Sequence, residues 1–250
     1  MIDQIICGDC LEVLPTVPDK SVDMVLADLP YGVIASSWDV LIDVNEVTQE
    51  FNRIIKDQRV IALTATQPMA TDLINANRSR FKYEWVWVKS RASLFVHAKN
   101  RPMGRHEFIV IFSNGSMNHK TISSNRMIYN PQGVKEVSIR KTRNAPRFGI
   151  TYGKRPSHTK ESIQTEGPYP TTVLEVPNPN NALLHTSQKP LELFEYLIRT
   201  YTNEGDTVLD PTAGSGTTAV ACRKSNRHYI CIEKEPEYCA IAEKRLAEML

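Results

Sequence analysis

Asp28-Leu29-Pro30-Tyr31 is the stretch whose residue types and spacing best suit chemistry on a flat ring. Pro30 has no N–H and a fixed φ, and it pushes the residue before it into an extended conformation. A carboxylate, a main-chain carbonyl and an aromatic face are thereby held together on a stiff turn. An exocyclic amine on a nucleobase is a poor nucleophile, because its lone pair is delocalised into the ring. Two acceptors that hold its N–H bonds out of the ring's electronic plane make it nucleophilic. Asp28 and the Leu29 carbonyl are such a pair, and Tyr31 offers a face for stacking. The same four residues would also serve as a loop cap and a core tyrosine, so the rest of the chain has to decide.

A second stretch with chemical potential runs from Val208 to Thr218. An apolar run ends at Asp210-Pro211-Thr212, and Gly214-Ser215-Gly216 makes a turn that permits positive φ and close backbone approach. A helix is expected to begin near Thr217, where its N-terminus favours an anionic group. The next apolar run, Tyr229 to Ile232, ends in Glu233, about where nucleotide-binding folds place an acid for ribose hydroxyls. No lysine follows Gly216, so the triphosphate-binding pattern fails, and the missing third glycine disfavours a dinucleotide oxidoreductase. A nucleoside with a carboxylate and no phosphates fits better, a description that S-adenosylmethionine meets. Asp9, after the apolar run Ile2 to Ile6 and Gly8, is a further carboxylate at a strand end.

The elements that must position these acids follow from hydrophobic periodicity. Apolar runs predict seven strands, near residues 5, 24, 61, 85, 109, 208 and 230. Helical spacing predicts helices over 44–56, 66–77 and 236–249, with Tyr238, Ile241, Ala242, Leu246 and Met249 as the inner face of the last. Another helix follows Pro190, with Leu191, Phe194, Leu197 and Ile198 as its buried stripe. Residues 33–43, with Trp38 and Asp39, read as a loop that covers either a substrate or the core. In an open α/β sheet the carboxyl ends of the strands are where ligands bind.

A chain of 250 residues with 41% apolar content suffices for one α/β domain with an insertion. Net charge is only +2, but residues 89–184 carry +10 and the remainder −8. Lys89, Arg91, Lys99, Arg101 and Arg105 come with no acid between them, and Arg140, Lys141 and Arg143 follow. These are the candidate contacts to a polyanion. Residues 113–184 have weak periodicity and many prolines, too long for a plain loop, and are expected to form an inserted lobe with short strands. Five scattered cysteines suit a reducing compartment, and Cys7-x-x-Cys10 has no second pair or His cluster to complete a metal site. With no apolar stretch of membrane-spanning length and no signal-peptide pattern, a cytoplasmic protein is expected.

The order of these features resembles the permuted, β-class DNA amino-methyltransferases. Gly8-Asp9 comes first, then Asp28-Leu29-Pro30-Tyr31, a basic insert, His185 to Pro190, and last Asp210 to Thr218. The resemblance spans nearly the whole chain and is weakest over 115–180. It implies a Rossmann-like, circularly permuted seven-stranded mixed sheet with helices on both faces and a small inserted target-recognition lobe. Residues 1–112 would be the catalytic half, 113–184 the recognition region and 185–250 the cofactor half. It implies that Asp28, Leu29, Pro30 and Tyr31 are the catalytic tetrapeptide. Asp210, Pro211, Thr212, Gly214, Ser215, Gly216 and Thr217 would form the loop around the methionine part of S-adenosylmethionine. Glu233 would hold the ribose and Asp9 would lie near the adenine, and Lys189 falls in the motif that opens the helix before the loop. Leu29 stands where the family usually has proline, and Thr212 where it usually has phenylalanine. The leading Asp implies adenine N6 in double-stranded DNA as the target. Cytosine N4, RNA and a DNA-binding module without catalysis are the alternatives, and a homodimer and a cognate restriction nuclease stay open as partners.

Overall fold

The computed structural model describes residues 2–30, 42–118, 121–142, 161–179 and 188–249. Tyr31, Trp38, Asp39, Arg143 and His185 lie outside these residues, and at Lys141 only the main chain is described. The strands are β1 (Gln4–Cys7), β2 (Val22–Asp28), β3 (Ile55–Ala65), β4 (Phe81–Ser93), β5 (Gly104–Ser113), β6 (Lys135–Thr142), β7 (Glu161–Gly167), β8 (Val173–Glu175), β9 (Thr207–Asp210) and β10 (His228–Glu233). The helices are α1 (Cys10–Val13), α2 (Val44–Ile54), α3 (Met69–Ala76), α4 (Leu191–Tyr201), α5 (Thr217–Lys224) and α6 (Pro236–Ala247).

Eight strands form one mixed sheet in the order β1-β10-β9-β2-β3-β5-β4-β8. The first five run parallel. β5 is antiparallel to both β3 and β4, and β8 is parallel to β4. All seven expected strands are in this sheet. The count of seven is corrected to eight by β8, a three-residue edge strand inside the stretch read as an insert. It is too short to show a periodicity, and its register is set by pairing with Val86 to Val88.

β2 shows why the sheet is covered on both sides. Its residues from Val22 to Ala27 are all buried, as expected for a parallel strand between two helical layers. Met24 and Leu26 join a core with Leu193, Leu197 and Tyr201 of α4 and Ala219 of α5. Val25 and Ala27 point the other way, into a core with Val47 and Phe51 of α2 and Leu73 of α3. The Tyr201 hydroxyl is buried but satisfied, by Trp85 Nε1 at 2.6 Å and the Tyr83 hydroxyl at 2.9 Å.

Three helices differ from expectation. α3, expected over 66–77, runs from Met69 to Ala76 with Pro68 as its N-cap. α2, capped by the Asp43 carboxylate on the Asn45 and Glu46 amides, stops at Ile54 because β3 begins at Ile55. α6 buries Cys239, Ala242 and Leu246, whereas Tyr238 is only partly buried and Met249 is exposed. Its inner stripe is therefore rotated by one residue from the expected one at the N-terminal end.

Met1–Asn130 and Thr172–Leu250 form one compact unit, and Pro131–Thr171 a second. Residues 113–130 and 172–179, read as insert, thus belong to the first. The second contains the antiparallel pair β6 and β7. The first unit holds both flanking residues firmly. The Asn130 amide donates to the Thr200 carbonyl at 2.8 Å and its side-chain NH2 to the Thr202 carbonyl at 3.0 Å. The Thr172 carbonyl accepts from the Val86 amide at 2.8 Å. Among the described residues no helix is long and apolar enough to cross a membrane.

Candidate active site

Because β1, β10, β9 and β2 are parallel neighbours, the acids at their carboxyl ends share one edge of the sheet. Cys7 is paired with Glu233 and Cys231 with Asp210, so Asp9, Glu233, Asp210 and Asp28 follow one another along it. Thr212 joins the two central strand ends. Its amide donates to Asp210 Oδ1 at 3.0 Å and its hydroxyl to the Asp28 carbonyl at 3.1 Å. The acid at residue 28 and the turn that Thr212 leads into are thereby clipped together across 184 positions of sequence.

The Asp28 carboxylate is held from two sides. Its Oδ1 accepts from the Thr64 hydroxyl and its Oδ2 from Lys189 Nζ, both at 2.5 Å. Thr64 is its register partner on β3. Lys189 lies just before Pro190, the residue that caps α4, and is buried between Asp28 and Glu107 of β5, whose Oε2 is 3.4 Å away. Lys89 of β4 donates to the other oxygen of Glu107 and stands 5.3 Å from the centre of the Trp87 ring. The result is a row of alternating charge, Asp28, Lys189, Glu107 and Lys89. Burial opposes the Lys189 charge, but the two carboxylates outweigh it and hold its pKa above the ordinary lysine value. Burial likewise opposes the Glu107 charge, and Lys189 and Lys89 together keep that carboxyl below its usual value.

Asp210 has a different environment. It is buried, its Oδ2 accepts from the Thr218 hydroxyl, and its other contact is the Thr212 amide. Burial pushes its pKa up to about 7, the Thr218 and Thr212 bonds act against that, and the charges of Asp28 and Glu233 add to it. Glu233 is also raised, chiefly by burial, although its oxygens accept from the Gly214 amide at 2.7 Å and the Glu235 amide at 2.8 Å. Asp9 is lowered by Lys234, 2.9 Å from its Oδ2, and by the Leu11 amide that it caps.

The turn between β9 and α5 is packed from below by α6. Gly216 has φ +77°, and a Cβ there would lie 2.7 Å from the Ala242 Cβ. Arg245 of α6 donates to the Ser215 carbonyl at 2.5 Å and to its hydroxyl at 3.1 Å. The Ala213, Gly214 and Gly216 amides are bonded to protein acceptors.

This donor set suits a cationic nucleoside. Three carboxylates converge on neighbouring strand ends, and the most deeply buried of them, Asp210, has only neutral donors among its hydrogen-bond partners. Each carboxylate oxygen has a second lone pair for a ligand donor. A sulfonium or ammonium group beside Asp210 would favour its charged form against the burial, and the lesser repulsion, that raise its pKa.

The structure brings Asp28, Leu29, Pro30, Thr212 and Asp210 together, with Gly214 and Glu233 alongside. Lys189, expected among the cofactor-binding residues in the motif that opens the helix before the loop, lies at the entry to α4 and grips Asp28. Lys89, expected to face a polyanion, is half-buried against Glu107. Arg91, Lys99, Arg101 and Arg105 are exposed on the β4–β5 hairpin, and Arg140 lies on β6 in the second unit. Thr64, Glu107 and Arg245 were not singled out from the sequence, and Thr218 closed the second stretch without a role of its own. Thr64 had one signal, a hydroxyl at the end of a buried strand, and Glu107 and Arg245 had none.

Residues 22–244 match the N6_N4_Mtase family, described as DNA methylase. The DNA adenine methyltransferase YhdJ of Escherichia coli (strain K12) is 29% identical over 253 residues, covering 97% of this chain and 82% of that protein. The type II methyltransferase M.HinfI of Haemophilus influenzae is 25% identical, covering 99% and 69%. Among solved structures, the M1.HpyAVI–SAM complex superposes with a TM-score of 0.62 at 22% identity, covering 97% and 98%. The cytosine-N4-specific PvuII DNA methyltransferase gives 0.65 at 16% identity, covering 97% and 85%.

Proposed function

Because this chain belongs to the N6_N4_Mtase family of DNA methylases, we propose that it methylates adenine N6 in double-stranded DNA with S-adenosylmethionine as donor. The observation that carries this reading is the Thr212 bridge, which puts the acceptor pair of the Asp28 turn beside the Gly214–Gly216 turn. The leading Asp of the tetrapeptide and the adenine-methylating relative YhdJ support the choice of base. The order of motifs, with Asp28 ahead of the glycine turn, supports the permuted β-class arrangement.

When bound, S-adenosylmethionine would supply an electrophilic methyl group: the amine lone pair would form the N–C bond as the S–C bond breaks, the sulfur would keep that bond's electron pair, and the proton shed by the methylated nitrogen would pass to solvent. The chain's own residues bind and orient. Asp210 would face the positive end of the donor, Glu233 would hold its ribose hydroxyls and Asp9 would lie near its adenine. The target base leaves the duplex stack, since its amine is otherwise out of reach. Asp28 accepts one N–H of the amine and the Leu29 carbonyl the other, while Tyr31 stacks on the ring. Thr64 and Lys189 fix the Asp28 carboxylate, so the acceptor geometry is set before the base arrives. Held by Thr64 and Lys189, Asp28 acts as an orienting acceptor. Proton loss follows once the nitrogen gains its methyl group and becomes acidic.

The test is incubation of the purified protein with duplex DNA and methyl-labelled donor, followed by nucleoside analysis. N6-methyladenine is expected, N4-methylcytosine would overturn the base assignment, and unlabelled DNA would overturn the activity. Asp28→Ala should bind the donor as the parent does and lose transfer.

A further inference from the structure

The β4–β5 hairpin carries a feature that methyl transfer as described does not use. β4 runs in the same direction as β2 and β3, because β5 is antiparallel to both β3 and β4. Its C-terminal end therefore rises at the edge of the sheet that carries Asp28. Lys89, which reaches the Asp28 network through Glu107, marks the level of the site. β4 continues to Ser93, four residues or roughly 13 Å further. There Ser93 pairs with Gly104, and the tip extends beyond them.

That tip is ordered by its own hydrogen bonds and is apolar at its summit. Leu94 has φ +67°, an unusual conformation for leucine, and its carbonyl accepts from the His97 amide at 3.0 Å. The Ala98 amide donates to Phe95 and the Asn100 amide to His97, at 3.0 and 2.8 Å. This turn leaves Phe95 80% and Val96 82% exposed, more than any other large hydrophobic residue described. Arg91, Lys99, Arg101 and Arg105 are exposed on the same hairpin, Arg91 donating to the Pro179 carbonyl and Arg105 to that of Lys89, and no acid occurs between Lys89 and Arg105. The base of the hairpin is braced, since Asn178 Oδ1 accepts from the Arg91 amide at 3.0 Å.

We propose that Phe95 and Val96 form a wedge that enters the base stack of the DNA duplex beside the base drawn into the site, with the neighbouring cations on the flanking phosphates. The proposal rests on the reading above that the substrate is duplex DNA. Apolar wedges between base steps hold a duplex open where it has been unstacked. Here the wedge stands on the edge of the sheet where the amine must arrive. A second copy of this chain is the less suitable occupant, because docking two tips would bring two sets of unbalanced cations together, whereas phosphates neutralise them.

The experiment compares the parent with Phe95→Ala/Val96→Ala on two substrates, a fully paired duplex and the same duplex with a mismatch at the target base. A mismatched base costs less to extrude. The variant should lose about 10-fold or more in kcat/KM on the paired duplex, equal to 1.4 kcal/mol, and recover most of it on the mismatched one. Its thermal midpoint and donor affinity should match the parent's, because both side chains are exposed. Equal activity on the paired duplex, or an equal loss on both substrates, would overturn the wedge. So would a parent dimer that the double substitution dissociates, which would assign the tip to self-association. A parent that methylates no DNA would instead overturn the underlying function, so the two failures are distinguishable.

Discussion

Asp210→Asn should make the protein more stable at alkaline pH and a worse binder of its donor. The Asp210 carboxyl is buried, its hydrogen-bond donors are neutral, and Asp28 and Glu233 add negative potential. Its pKa is pushed up from 3.8 to about 7. The folded chain therefore keeps a proton that the unfolded chain has lost. The stability tied to that proton is complete below about pH 4 and is lost as pH rises through about 7. At 1.36 kcal/mol per pH unit, the interval is worth roughly 4 kcal/mol as a ceiling. Asparagine cannot ionise, and its amide can still accept from Thr212 and donate to the Thr218 hydroxyl. Urea unfolding of both proteins at pH 5, 6, 7 and 8 without donor is the assay. The stability gap should widen in favour of the variant by about 1.4 kcal/mol between pH 5 and 6, then flatten above 7. S-adenosylmethionine should reverse the order, because it stabilises the parent in proportion to an affinity that the variant lacks. A gap that does not change with pH would refute the argument, as would equal stabilisation of both proteins by the donor.

Other outcomes follow from the same edge of the sheet. Lys189→Met would leave Asp28 and Glu107 facing each other without the cation between them. A cost of about 3–5 kcal/mol, or roughly 6–20 °C in thermal midpoint, is expected. An unchanged midpoint would show that the row of charges does not hold the strands. Gly216→Ala combines a left-handed φ with a 2.7 Å contact to Ala242, whereas Gly205→Ala has a similar φ of +80° and open space around it. Urea midpoints should fall further for Gly216→Ala, and only that variant should lose donor affinity. Equal losses would mean that the approach of α6 to the turn is not a constraint.

Much of the edge was legible in the sequence because apolar runs that end in acids carry their own signal. Asp28, Asp210 and Glu233 each close such a strand, and the other strands of the large sheet, β8 apart, were found from their apolar runs alone. β8 escaped because three residues cannot display a period. α2 was drawn too long because Ile54 and Ile55 continue a helical stripe, although the second already pairs with Val22. The partners of Asp28 were hidden more deeply. Thr64 and Lys189 lie 36 and 161 positions away, and only strand register and the entry to α4 bring them near. Lys89 and Arg91 look alike in a basic stretch, and residues two apart on a strand share one side only while the β-pairing is regular. Here the pairing shifts after Val88. Lys89 meets Glu107, and Arg91 reaches the Pro179 carbonyl. Composition identifies a cationic stretch, and pairing decides which of its cations is spent on the protein itself.

The fastening of Asn130 to the end of α4, and of Thr172 to β4, has a further consequence. Pro131–Thr171 leaves and re-enters the sheet-bearing unit through fixed posts. The acids at the strand ends take their hydrogen bonds from residues on the other side of those posts. The hydrogen bonds that set the reactive edge are therefore closed within the sheet-bearing unit itself.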